Sequence, residues 1–215
     1  MQNETASKVA EFLLQIKAIK LQPDSPFTWA SGWKSPIYCD NRISLSYPRI
    51  RTYIRQELVK LIENKFGRPD IIAGVATAAI AQGALVAEAM GLPFVYVRAS
   101  AKDHGMKNKI EGEVKEHQTA VVIEDLISTG KSSLEVVRDL RENGVIVKGL
   151  VSIFSYGFEA ASDSFKKASC PVYSLSNYDA LLRQAVETGY ISRKDVDVLK
   201  SWRVNPSQWQ PLPSV

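Results

Sequence analysis

TAVVIEDLISTGKSS, residues 119–133, changes character twice without a break. Residues 119–123 are an apolar, β-branched run of strand length, the composition of a strand buried on both faces of a parallel sheet. Glu124 and Asp125 follow at once, placing two carboxylates at the strand's C-terminal end, where open α/β sheets bind their ligands. Ser128, Thr129, Gly130, Lys131, Ser132 and Ser133 then lead into an amphipathic helix through Val136, Val137 and Leu140. A helix N-terminus presents unpaired N–H groups and partial positive charge, so such a turn can wrap a phosphate. Hydroxyls add donors, and Gly130 permits close backbone approach. The two acids cannot hold phosphate themselves and need hydroxyls or a cation beside it. A sugar phosphate offers both. The Walker A alternative suggested by Gly130-Lys131-Ser132 fails, because its first glycine would fall at Asp125.

Outward from this stretch, strand and helix signals alternate. Upstream, residues 70–75 read as a buried strand, followed by Ala76 and Thr77, an alanine-rich helix over 78–90, a Gly91 cap and a strand over 92–97. Downstream, a helix over 131–143 precedes strands over 147–154 and 172–175. The pattern predicts an α/β fold, a mainly parallel central sheet flanked by helices with right-handed crossovers. Nearer the N-terminus, Val9, Phe12, Leu13, Ile16 and Ile19 predict a helix over residues 5–20. FTWASGWKSPIYCDNR, residues 27–42, reads as an irregular or hairpin segment, and Pro48 opens a helix that Gly67, Arg68 and Pro69 stop. Ser176 with Asp179 and Ser192 with Asp195 look like capping boxes opening two short helices, before an extended tail from Asn205.

The 215 residues, 45% hydrophobic and 23% charged, suit one sizeable core and hence a single domain over 1–215. Within it, residues 1–45 form an N-terminal segment, 70–175 the core sheet with a loop over 98–118, and 176–215 the C-terminal helices and tail. A net charge of +4 without a dominant Lys/Arg block favours a small polyanionic substrate over nucleic acid. Two cysteines and two histidines, without paired spacing, argue against a disulfide framework or a zinc site. No apolar run approaches membrane length and the N-terminus has no leader pattern, so no membrane partner and a cytoplasmic location are expected.

RASAKDHGMKNKIEGEVKEHQ, residues 98–118, is too long and polar for a simple connection. Arg98, Lys102 and His104 cluster at its start, on the same sheet edge as the two acids. Their charge suits a pyrophosphate, and a mobile lid closing over an anion would exclude water. His117 lacks such company and reads as a surface residue.

Residues 119–133 resemble the 5-phosphoribosyl 1-pyrophosphate (PRPP) binding motif of the type I phosphoribosyltransferases. VRASAKDHG followed by KNKIEG is similar to the catalytic loop of the orotate phosphoribosyltransferase family, and FTWASGWKSPIYCDNR to its N-terminal base-site segment. With GVATAAIAQGALVAE after the first strand, the resemblance runs along most of the chain. It implies a type I phosphoribosyltransferase-like fold with a small N-terminal hood and a mobile lid. It also implies transfer of the phosphoribosyl group from PRPP to orotate, giving orotidine 5′-monophosphate and pyrophosphate in pyrimidine synthesis. Magnesium would ride on PRPP, with no direct protein ligands, and the lid would be shared across a homodimer.

Carried over by position, Glu124 and Asp125 hold the ribose hydroxyls, while Leu126, Ile127, Ser128, Thr129, Gly130, Lys131 and Ser132 wrap the 5′-phosphate. Ser128 also approaches orotate, and Arg98, Lys102 and His104 meet the pyrophosphate. Lys102, His104 and Asp125 are the catalytic candidates. The chain departs from patterns seen in some family members at Ala30, Thr77, Ala78 and Ala99, and it reads Phe154-Ser155-Tyr156 where many have an orotate-binding arginine. Lys34, Tyr38 and Tyr156 are the candidates to compensate. A transferase for another base, such as a purine, would show itself by substrate preference; a PRPP-sensing regulator would show salt-sensitive DNA binding without catalysis.

Overall fold

A computed structural model describes residues 2–29, 31–99 and 109–211. The chain begins with α1 (Gln2–Gln15) and β1 (Ile19–Leu21), then β2 (Phe27–Thr28), β3 (Lys34–Ser35) and β4 (Ile37–Cys39). A 3-10 helix (Asn41–Ser46) leads to α2 (Pro48–Phe66) and β5 (Ile71–Val75). Next come α3 (Ile80–Met90), β6 (Phe94–Val97), β7 (Ile110–Glu111), β8 (Thr119–Ile127) and α4 (Lys131–Glu142). The chain continues with β9 (Ile146–Ser155), α5 (Glu159–Lys167), β10 (Val172–Asn177), α6 (Tyr178–Glu187) and α7 (Asp195–Val204).

The main sheet has the order β10-β9-β8-β5-β6-β7, parallel except for the edge strand β7. Every residue of β5 is buried, and Ala120, Val121, Val122 and Ile123 of β8 are fully so, because helices cover both faces. The crossover from β5 through α3 to β6 advances in one direction, and that from β8 through α4 to β9 in the other. Right-handed crossovers therefore put α3 and α4 on opposite faces. The chain reverses direction between β5 and β8, and the crevice beyond their C-terminal ends is the topological switch point where such sheets bind ligands.

Pro48 occupies the first turn of α2, Gly67 ends it, and Gly91 caps α3 in the left-handed region, as predicted. Four expectations change. The predicted helix over 5–20 ends at Gln15; Lys17 turns the chain at φ 57°, and Ile19 is buried as a strand residue paired with Cys39 of β4. The central strand does not stop at Ile123, because β9 continues to pair with it as far as Ile127 opposite Ser155. Both acids therefore stand on the strand rather than after it. The return half of residues 98–118 is partly ordered, as β7 antiparallel to β6. At α6, Asn177 rather than Ser176 caps the helix, its side chain accepting from the Ala180 N–H, while the buried Ser176 hydroxyl donates to the Ala6 carbonyl.

Residues 27–35 do form a hairpin, β2 against β3, and β1 with β4 makes a second small sheet. Asp195 accepts from both the N–H and the hydroxyl of Ser192, but α7 begins only at Asp195, with Lys194 at its N-cap and no side-chain cap, so Ser192 does not open the helix as expected. Past α7 the chain turns, with Gln208 N–H donating to the Asn205 carbonyl, and is not simply extended.

Candidate functional site

Glu124 is 6% exposed at the end of β8. One of its oxygens accepts from the Ser133 hydroxyl at 2.9 Å and the other from the Asp125 N–H at 3.1 Å. Burial first, and the neighbouring Asp125 charge second, push its pKa well above the ordinary carboxylate range. Asp125 is half-buried, and burial raises its pKa too, against the opposing effect of hydrogen bonds from Glu124 and the Leu126 N–H. Two adjacent buried carboxyls cannot both ionise cheaply, which favours the neutral form of the more deeply buried Glu124. Only Asp125 has appreciable solvent access.

Beyond them, Ser128, Thr129 and Gly130 make the turn into α4. Gly130 is the N-cap at φ 77°, and no side chain caps the helix. The first N–H groups of α4 are thus free of a side-chain acceptor and face the same end of the sheet as Asp125. Thr129, Lys131 and Ser132 are exposed and Ser128 is half-buried. Gly130 has a second reason to be glycine: a Cβ there would lie 2.7 Å from Cε2 of Phe165 on α5. Leu126 and Ile127, expected to wrap phosphate, are strand residues, and the Ile127 side chain is buried. The turn between β8 and α4 begins at Ser128. On the other side of the crevice, Ala76 and Thr77, joined by a cis peptide bond, directly follow β5.

The N-terminal segment meets this centre through residues that were not singled out from the sequence. Asn41, 2% exposed, donates from Nδ2 to the Asp125 carbonyl at 2.7 Å and accepts from the Cys39 thiol at 3.4 Å. Arg42 holds Asp40 through two side-chain hydrogen bonds of 2.7 and 2.8 Å, which keep the Asp40 carboxyl below its usual range. Arg42 also lies near enough to Asp125 to favour its ionised form. Asn41 and Arg42 both lie in the segment that resembles a base site, but nothing local linked position 41 to position 125.

The remaining candidates are distributed unevenly. Tyr38 is exposed on β4 with its ring 5.7 Å from Phe27, and Lys34 on β3 donates to the Thr28 hydroxyl at 2.8 Å. Tyr156, a candidate orotate contact, is a core residue: it is 2% exposed among Trp29, Phe154, Phe158, Tyr178 and Trp202. Its backbone N–H bonds to Ile127, which brings the end of β9 beneath the hairpin. Arg98 sits at the end of β6, its guanidinium 3.6 Å from Glu111. Lys102 and His104 lie outside the described residues.

Residues 45–174 match the model of the phosphoribosyl transferase domain family. The chain is 57% identical to an orotate phosphoribosyltransferase of Phocaeicola vulgatus over 94% of this chain and 95% of that one. It is 56% identical to an orotate phosphoribosyltransferase of Bacteroides thetaiotaomicron over 93% and 94% of the two chains. Among solved structures, orotate phosphoribosyltransferase from Aeropyrum pernix superposes with a TM-score of 0.74 at 24% identity, covering 86% of this chain and 99% of that one, which shows the shared fold.

Proposed function

The chain belongs to the phosphoribosyl transferase domain family and, within it, to the orotate phosphoribosyltransferases, and from that premise we propose how its crevice carries out the transfer from PRPP to orotate. The observation that carries the reading is the half-buried Asp125 carboxylate beside an uncapped helix N-terminus, at the switch point of the sheet. Asp125 holds the ribose hydroxyls, and Glu124, pinned by Ser133, fixes its position. Ser128, Thr129, Gly130, Lys131 and Ser132 receive the 5′-phosphate. The pyrophosphate lies toward Arg98 and the segment carrying Lys102 and His104. Orotate sits under the hairpin, with Ser128, Tyr38 and Lys34 as its contacts.

In the reaction, the bond from C1′ to the pyrophosphate oxygen breaks and the electron pair leaves with pyrophosphate. A bond from C1′ to N1 of orotate forms in its place, and N1 gives up its proton, which balances the proton taken by the departing pyrophosphate. Positive charge develops on the sugar, which the Asp125 carboxylate stabilises, while Arg98 and Lys102 meet the negative charge growing on the leaving group. His104 can deliver a proton to that oxygen. Among the described residues no group of three or more His, Cys, Asp or Glu gathers to hold a metal. That suits Mg2+ arriving on PRPP, since this ion prefers phosphate oxygens and water to a protein cage. Bound there, it would neutralise pyrophosphate charge. No described helix is long and apolar enough to cross a membrane; we place the enzyme in the cytoplasm, as a homodimer sharing the segment around Lys102.

The test follows orotate by its ultraviolet absorbance with Mg2+ and PRPP. Loss of orotate only when PRPP is present is expected. No loss, or a purine consumed in preference to orotate, overturns the reading.

A further inference from the structure

The four tryptophans of the chain, Trp29, Trp33, Trp202 and Trp209, fall in two stretches far apart in sequence, both outside residues 45–174. The fold brings them together. Trp29 and Trp33 stack across the hairpin turn at 6.3 Å, and Trp29 packs edge-on against Trp202 of α7 at 5.5 Å and tilted on Tyr156 at 5.4 Å. Trp202 is fully buried and also meets Tyr156, Phe158 and Tyr178 at 5.6, 5.5 and 5.7 Å. α7 is fastened in register by the Tyr178 hydroxyl, which donates to the Leu199 carbonyl at 3.0 Å, and by Arg203 on Asp179 at 2.9 Å.

The contacts continue toward the site. The Trp29 indole donates to the Ile37 carbonyl at 3.0 Å, which holds the hairpin onto β4. β4 runs directly into Asn41, and Asn41 donates to the Asp125 carbonyl. The hairpin thus rests on Trp202 at one end and on the central strand at the other. By contrast, no aromatic contact joins Trp202 to α4 or the turn before it among the described residues. The Trp202 indole N–H is itself buried without a hydrogen-bond partner among the described residues, so the position uses the ring rather than a donor.

We infer that Trp202 is a positioning residue for the nucleobase: α7 and the hairpin form one aromatic unit that sets the wall of the base site and leaves the PRPP site to β8 and α4. The inference rests on the reading that the hairpin covers the base. It deepens that reading by giving the C-terminal helix a share in holding the planar, anionic pyrimidine, although that helix touches no substrate.

The experiment measures KM for orotate and for PRPP separately in the full-length enzyme and in W202A, W202F and Y178F. W202A is expected to raise the orotate KM by roughly tenfold or more, since small misplacements of a binding wall are costly. The PRPP KM should stay within about twofold, because among the described residues no aromatic contact joins Trp202 to α4 or the turn before it. W202F keeps one aromatic ring and loses the rest of the indole with its unpartnered N–H, so it should reverse most of the rise in orotate KM expected for W202A. Y178F, which loosens α7 without removing a ring, should raise the orotate KM less than W202A, and it carries the test if W202A does not fold. In the wild type, tryptophan emission should respond to orotidine 5′-monophosphate more than to pyrophosphate. Equal changes in both KM values, no rescue by W202F, or unchanged orotate KM in the variants would overturn the inference while leaving the transferase intact. A wild-type enzyme that ignores orotate but consumes PRPP with a purine would instead sink the functional reading. In that case an unshifted purine KM in W202A would remove this inference as well.

Discussion

Glu124 and the Ser133 hydroxyl that donates to it are nine positions apart, whereas Asn41 and the Asp125 carbonyl to which it donates are 84 apart. The proposed sugar-phosphate side of the crevice is a single continuous stretch, in which the end of a buried strand presents acids and the start of the next helix presents N–H groups. The proposed base side is assembled from the hairpin, the end of β9 and α7, which meet only in the folded chain. A continuous site depends on backbone conformation at a few positions, so substitutions there should affect any substrate carrying the ribose phosphate. An assembled site depends on packing between remote elements, and substitutions there should discriminate between bases.

The comparison is broken most directly at Asp125. Asp125→Asn should slow transfer roughly 10- to 100-fold, the scale of losing a charged hydrogen bond, and equally whether orotate or another base is offered. An unaltered rate would move the ribose elsewhere. Gly130→Ala forces a side chain into φ 77° and against Phe165, costing about 2 kcal/mol or more. It should weaken PRPP binding without changing base preference, measured by PRPP titration and thermal melting.

Asn41→Ala tests the other side. It leaves the Asp125 carbonyl without its partner, at about 1–2 kcal/mol, and should raise the orotate KM more than the PRPP KM, since the hairpin loses its tie to β8. Equal effects on both would show that the two sides are not separable there.

Glu124→Gln isolates electrostatics from shape. Burial raises the folded-state pKa of Glu124 from 4.5 to about 8, so its contribution to stability is fully present below the free glutamate value and is lost as pH rises through about 8. The amide cannot ionise and can keep an acceptor toward the Asp125 N–H. The variant should therefore melt higher than the wild type near pH 8, by a few degrees, and the difference should shrink toward pH 5. A difference independent of pH would assign the shift to something other than Glu124. Lys34→Ala should matter least, within about 0.5 kcal/mol of stability for an exposed hairpin residue; a selective rise in orotate KM would mark it as a base contact.

Much of the strand, turn and helix that carry the proposed phosphate site was legible in the sequence. The apolar run 119–123, the acids and the small residues before Val136 each have a local physical meaning, and the alternation around them implied the parallel sheet. Reading stopped where pairing takes over. β8 extends to Ile127 because β9 keeps offering it partners, a property of two strands rather than of either composition. Tyr156 was read as a base contact because its position follows the fourth predicted strand, but Trp29, Tyr178 and Trp202 from three other parts of the chain join the adjacent Phe154 and Phe158 in burying it. Asn41 offered no local signal at all.

By itself, the order of residues determined the strands and helices of the core, their parallel arrangement and the turn between β8 and α4, because strand burial, helix starts and glycine conformations are set within a few residues of one another. Only the tertiary structure decided which acid keeps solvent access, which loop residues are really strand, and how the hairpin, Tyr156 and Trp202 come to share one cluster. Those outcomes depend on burial and packing between segments far apart in the chain, which local sequence does not encode.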